Sequence, residues 1–305
     1  MSLSDLPPVV VKPLALAPRR VRLGFWQTLA VIVGPLLLCD FLLLPLTVVI
    51  KAQHALAVLV YGCFGLIVAQ GVLLCVAHVL GTGRLIARSA IAWGWGWLGV
   101  MAWVAGLLVA FSWERWPGPN FRDIATILSS IPLFALAVQT PLWIGRFVFG
   151  WRLSHRDHQE PAPTSIADFF VVTTLVAATF AIANFGQFLS GARSSAFWPI
   201  AGMAWGISSG VSLLVLLPLL WLLLHRQASK AAVLFSLAAV GVATFIFCVI
   251  DSGLNPARLR WSWRVTGVSV TLLAIVLGTH AGLAFLHRHG WRLAIGRKQI
   301  EKLSP

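Results

Sequence analysis

The stretch PLLLCDFLLLP, residues 35–45, sets one carboxyl group inside an oily run and brackets it with two prolines. Asp40 lies 15 residues from one end of the apolar segment 25–50 and 10 from the other, close to mid-bilayer if the segment spans. An acid at that depth costs about 2.5–3.5 kcal/mol, and each surrounding Leu, Ile, Val or Phe returns about 0.3–0.6. The segment still inserts, and protonation is the simplest way for Asp40 to shed its charge. Two kinds of chemistry fit. A carboxyl that loads and releases a proton or cation drives a coupled transporter. A neutral carboxyl bonded to a neighbouring helix is a packing device. The natural partner is Gln70, the mid-depth amide of the next segment, with Gln139 as a further helper in the transporter reading. Thr47 and Lys51 would share the Asp40 face on an unbroken helix, but Pro35 and Pro45 weaken that arithmetic.

Two histidines, His78 and His280, sit near the same ends of the second and eighth apolar segments. Facing imidazoles at matched depth could ligate haem or serve a quinone protein. One pair with no second His on either segment is a weak set, and interfacial or satisfied histidines are the simpler reading. HRDHQE places His155 and His158 three apart around Asp157, without a clear third and fourth ligand, so no metal site is assigned. Asp168 follows Ser165 by three residues and Asp123 follows Asn120 by three, the spacing of helix starts rather than of catalysts. There is no phosphate-binding loop, HExxH or nucleophile elbow. No enzymatic activity, cofactor or metal is therefore expected.

What positions these groups follows from composition. The chain has 305 residues, 59% hydrophobic and only 10% charged, with mean hydropathy +0.88. Soluble domains carry about 25% charged residues, so the expected solvent is lipid. The apolar runs are continuous rather than alternating, which argues for helices over a β-barrel. The expected fold is all-α, a polytopic transmembrane bundle of about eight spans: 25–50, 55–80, 90–113, 124–149, 166–186, 198–225, 228–251 and 261–286. Residues 1–23 form a basic tail with no cleavable-leader pattern. Residues 24–149 form a first four-span half, 150–165 a polar linker, 166–287 a second half, and 288–305 a basic tail along the inner surface.

Of the 23 Lys and Arg, an eight-span topology with a cytoplasmic N-terminus leaves seven outside: Lys51, Arg115, Arg122, Arg193, Arg258, Arg260 and Arg264. The other 16 fall inside, which favours both termini in the cytoplasm. The net charge of +14 flanks apolar runs instead of forming one aromatic-interleaved patch, so the expected partner is anionic lipid and not nucleic acid. Tryptophans cluster near segment ends. WGWGW, 93–97, reads first as an interfacial anchor and second as a stacking platform for a ligand. Cys39, Cys63, Cys75 and Cys248 lie singly in apolar runs and read as packing residues. No convincing repeat relates the two halves.

Gly202, Gly206 and Gly210 recur every four residues, as do Gly278 and Gly282. Such stripes let helix backbones approach closely, within the chain or between copies in a helix-mediated oligomer. Pro199, Ser208, Ser209 and Ser212 offer an alternative, a polar path along the same segment. Three further stretches are GLIVAQGVLLCVAHVLGTGRLIARSAIAW, QTPLWIGRFVFGWRL and SIADFFVVTTLVAATFAIA. Together, over roughly 65–185, they resemble a family of uncharacterised multi-spanning proteins of planctomycete-type bacteria. That resemblance implies a bacterial inner-membrane location and supplies no activity. The sequence points to a non-enzymatic membrane protein with a packing or assembly role, with a proton- or cation-coupled small-solute transporter using Asp40 as the alternative.

Overall fold

The computed structural model describes residues 24–50, 54–113, 121–155, 166–190, 202, 205–206, 208–210, 212–225, 229–254 and 263–294. Among them the architecture is an all-α bundle with one small strand pair. The helices are α1 (Phe25–Ile50), α2 (His54–Leu80), α3 (Leu85–Trp113), α4 (Phe121–Val148) and α5 (Ile166–Ser190). A sixth stretch, α6, alternates π-helical turns (Ser212–Leu216, Trp221–His225) with an α-helical one (Leu217–Leu220). Pro218 explains the irregularity, because it lacks an amide donor and its ring crowds the preceding turn. Helices α7 (Ser229–Leu254) and α8 (Trp263–Arg288) follow.

Six helices, α1 to α5 and α8, are long and apolar enough to cross a membrane by length and composition. In α6 and α7 the apolar stretches are shorter, Ser208–Leu224 and Lys230–Val242. The helix α1 runs unbroken through Pro35 and Pro45, and α4 through Pro132 and Pro141. The most enclosed span is α2, 61% buried against 17% for α3, α5 and α8. In lipid this position has to be held by close packing, since apolar side chains gain nothing by leaving a hydrocarbon solvent. The glycines supply it. A Cβ on Gly278 would meet Ala69 Cβ at 2.9 Å, and one on Gly282 would meet Leu73 Cδ1 at 2.6 Å. Residue numbers rise together on both helices, so α2 and α8 run parallel. A Cβ on Gly106 of α3 would similarly collide with the backbone of Phe41 in α1.

The linker and the C-terminal stretch are not purely surface loops. Arg152–His155 (β1) and Trp291–Ala294 (β2) pair antiparallel across one end of the bundle. Each strand follows a helix end, and each is preceded by a glycine with positive φ, Gly150 at 65° and Gly290 at 87°. A left-handed glycine ends a helix cheaply and turns the chain. The same four residues, Gly-Trp-Arg-Leu, occupy 150–153 and 290–293, a repeat that the reading of the halves as unrelated missed. Trp151 and Trp291 are both buried among protein side chains there. Trp151 lies 6.1 Å from the Trp221 ring and Trp291 lies 4.9 Å from Phe25. Phe25 also abuts Gly81. The start of α1, the end of α2 and the ends of α4 and α8 therefore share one end of the molecule, where the buried core concentrates.

Candidate functional site

The sequence-named polar residues fall into two clusters along α2. In the first, Asp40 is buried between α1, α2 and α3, and the Gln70 amide hydrogen-bonds its carboxyl group. Gly99 of α3 makes room for the pair: a Cβ there would sit 3.1 Å from Asp40 Oδ2 and 3.6 Å from Gln70 Nε2. Asp40 Oδ2 and Gln70 Oε1 have no hydrogen-bond partner. The side chain of Thr47 and all of Lys51 lie outside the described residues. Beside Asp40, the Cys39 thiol is hydrogen-bonded to that of Cys63 on α2, a contact that single cysteines in separate apolar runs did not announce.

The second cluster lies two turns further along α2. Gln139 belongs here and not with Asp40: its Oε1 is 3.1 Å from His78 Nδ1. Ser89 Oγ is 2.8 Å from His78 Nε2 and 2.9 Å from the Leu85 carbonyl. The Ser89 hydroxyl donates its one proton to the Leu85 carbonyl, so both ring nitrogens of His78 face oxygen atoms, Nδ1 that of the Gln139 amide and Nε2 that of the serine. The Gln139 amide nitrogen makes a 3.7 Å contact to Cys75 Sγ. Both nitrogens of His78 are thus engaged by Gln139 and Ser89 and not directed at His280. Nor does His280 share its depth. The parallel register of Gly278 on Ala69 and Gly282 on Leu73 puts His287, not His280, level with His78. Counting from segment ends misled because α8 continues two turns beyond His280.

Beyond His78, Arg88 and Arg146, two of the 16 basic residues counted to the inner side, are buried. Arg88 is 1% exposed and Arg146 6%. Arg88 Nη1 donates to the carbonyls of Val79 and Gly81, both at 2.9 Å, and Arg146 Nη1 donates to Val79 as well. These carbonyls belong to the C-terminal turn of α2, where no intrahelical donor exists and the helix dipole is negative. The two guanidiniums therefore cap α2 from α3 and α4. Asp168, in the first turn of α5, is near enough to offset part of their charge. Ser165, its expected capping neighbour, lies outside the described residues, as do Asn120, Asp157, His158 and Pro199. His155 donates from Nε2 to the His289 carbonyl at 3.1 Å and so serves the strand pair.

The remaining candidates separate cleanly. Gly278 and Gly282 face α2, whereas a Cβ on Gly202, Gly206 or Gly210 would meet nothing within 4 Å. That stripe packs against no neighbour among the described residues. Ser209 donates to the Ala137 carbonyl at 2.9 Å, tying this segment to α4 instead of lining a path. A cavity of about 170 Å³ lies between α2, α3, α4 and α5, with Trp93 and Trp97 on its wall and His78, Gln139 and Cys75 at its polar end. Asp40 and Gln70 do not line it. The chain matches no protein-family model, no curated protein and no solved structure.

Proposed function

We infer that the chain is a non-enzymatic integral protein of a bacterial inner membrane, with a packing or assembly role. The observation that carries this is the sealing of Asp40. The acid at mid-depth is enclosed by three helices, hydrogen-bonded to Gln70 in the room Gly99 leaves, and the large cavity does not reach it. The test is a pair of variants in the purified protein. Asp40→Asn keeps the shape and the amide contact and should unfold in detergent within a few degrees of wild type. Asp40→Leu strands Gln70 and should unfold much earlier. Proton-coupled flux in vesicles that disappears with Asp40→Asn would overturn the reading.

One observation favours the alternative, a proton- or cation-coupled small-solute transporter. Asp40 Oδ2 and Gln70 Oε1 are both buried without partners, and a carried proton or cation would satisfy them. The flux measurement decides between the two.

Eight crossings with both termini in the cytoplasm belong to this reading. The start of α1 and the ends of α4 and α8 lie at one end of the bundle. On this reading each half crosses an even number of times, with α6 and α7 either both crossing or both staying out. The 16-to-7 distribution of Lys and Arg supports that end as the cytoplasmic one, facing anionic lipid. A cysteine introduced at Asp157 should label only from the inside. The open Gly202–Gly206–Gly210 stripe is the face on which a helix-mediated oligomer would form.

A further inference from the structure

We propose that the cavity between α2, α3, α4 and α5 binds a flat, lipid-soluble ring bearing a carbonyl group, of the quinone class. The space is built rather than left over. Gly71 on α2 and Gly96 on α3 both line it, and a Cβ on either would meet nothing within 4 Å. These two glycines admit no neighbouring helix, unlike Gly278 and Gly282, so their missing side chains create volume instead of contact. At about 170 Å³ the cavity exceeds the roughly 150 Å³ that holds a benzene ring in an engineered protein core.

Its walls select for a ring. The indoles of Trp93 and Trp97 stand one helical turn apart on α3, with Pro132 of α4 among the other lining residues. Flat aromatic faces reward a stacked ring more than a saturated chain. Entry is from the lipid side: α3 and α4 hardly touch, and Trp97, Ile131 and Ile182 at the cavity are all exposed on the outside of the bundle. A ligand would arrive from the bilayer without crossing water.

The polar end supplies the specificity. Gln139 is held through Oε1 by His78, which is itself fixed by Ser89. Its amide nitrogen makes a single weak contact, to Cys75 sulfur, and an amide carries two N–H donors. One strong donor at the end of an apolar slot matches a ring carbonyl, and an alkyl chain would leave it unpaired.

The probe is a decyl-substituted benzoquinone added to the purified protein in detergent, with quenching of tryptophan fluorescence as the readout. Wild type should quench saturably. Gly96→Leu fills the space and should weaken half-saturation at least about tenfold, since a ring cannot share a filled cavity. Gln139→Leu should weaken it about three- to tenfold, the loss of one hydrogen bond. Decylcyclohexane, with the same tail and no carbonyl or aromatic face, should not compete. Linear quenching of equal slope in wild type and Gln139→Leu would reduce the effect to detergent partitioning and overturn the proposal. Equal competition by decylcyclohexane would make the cavity a lipid-chain slot and overturn it too. If Gly96→Leu does not fold, the comparison of wild type with Gln139→Leu still decides.

Discussion

Leu153 pairs with Leu293, its own counterpart in the second copy of Gly-Trp-Arg-Leu. On either side the pairs Arg152–Ala294 and Ser154–Arg292 exchange under a half-turn about that point. A local twofold axis therefore passes between the two leucines, relating the end of the first half to the end of the second. Both side chains are buried, at 0% and 3% exposure. Leu153→Ala and Leu293→Ala should each cost about 2–4 kcal/mol, the range for a buried leucine. Because the two touch, the double variant should cost less than the sum. Denaturant unfolding of the purified protein measures all three.

The buried guanidiniums make a different prediction. Arg88 spans two carbonyls with one nitrogen, and truncating it takes the side-chain donor from Gly81 and leaves Val79 with Arg146 alone. Arg88→Ala should cost about 2–4 kcal/mol, from hydrogen bonds to a charged group worth about 1.5–3 each, less the cost of having buried the charge. Arg88→Lys should recover little, since a compact ammonium lacks the planar fork. Thermal unfolding of the three proteins side by side gives the ranking.

Glycine substitutions should divide according to what each Cβ would meet. Gly282→Leu collides with Leu73 and separates α2 from α8, costing about 1–3 kcal/mol for overpacking. Gly206→Leu enters open space and should stay within about 0.5 kcal/mol of wild type. Equal destabilisation by both would mean that Gly206 faces a second copy. The oligomeric state of that variant, measured by light scattering, tests it directly.

Cys39 and Cys63 touch across α1 and α2. A copper–phenanthroline oxidant should join them in the membrane, and mass spectrometry of the digested protein should recover the linked peptides. Cys39→Ser should abolish the link. Cys75 contacts Gln139 and the Ala135 carbonyl and should remain reduced.

Helix positions were legible because apolar runs of this length have one physical interpretation in lipid: α1 matches the expected 25–50, and α2 and α4 differ by a few residues. The neighbour of a side chain is another matter. The depth of Gln139 suggested Asp40 as its partner, and the packing of α4 against the C-terminal half of α2 gives it His78 instead. Arg88 and Arg146 looked like loop charges because sequence shows distance to a helix end, not whether that end is capped from inside. The Gly-Trp-Arg-Leu repeat escaped notice because four residues in each half carry no statistical weight. Their meaning appears when Leu153 and Leu293 are seen face to face. WGWGW reads first as an interfacial anchor, and its spacing does not show that Trp93, Gly96 and Trp97 line one cavity.

The parallel seam between α2 and α8 joins elements about 200 residues apart and is the most extensive helix–helix interface among the described residues. Its consequence is one of timing during synthesis. At about 5–20 residues per second, roughly 10–40 s separate the emergence of α2 from that of α8. For that interval the groove at Gly65, into which the Ala274 turn of α8 fits, has no owner. Whatever occupies it first, lipid or a neighbouring helix, must yield when α8 arrives, so this seam closes only after α8 has been made.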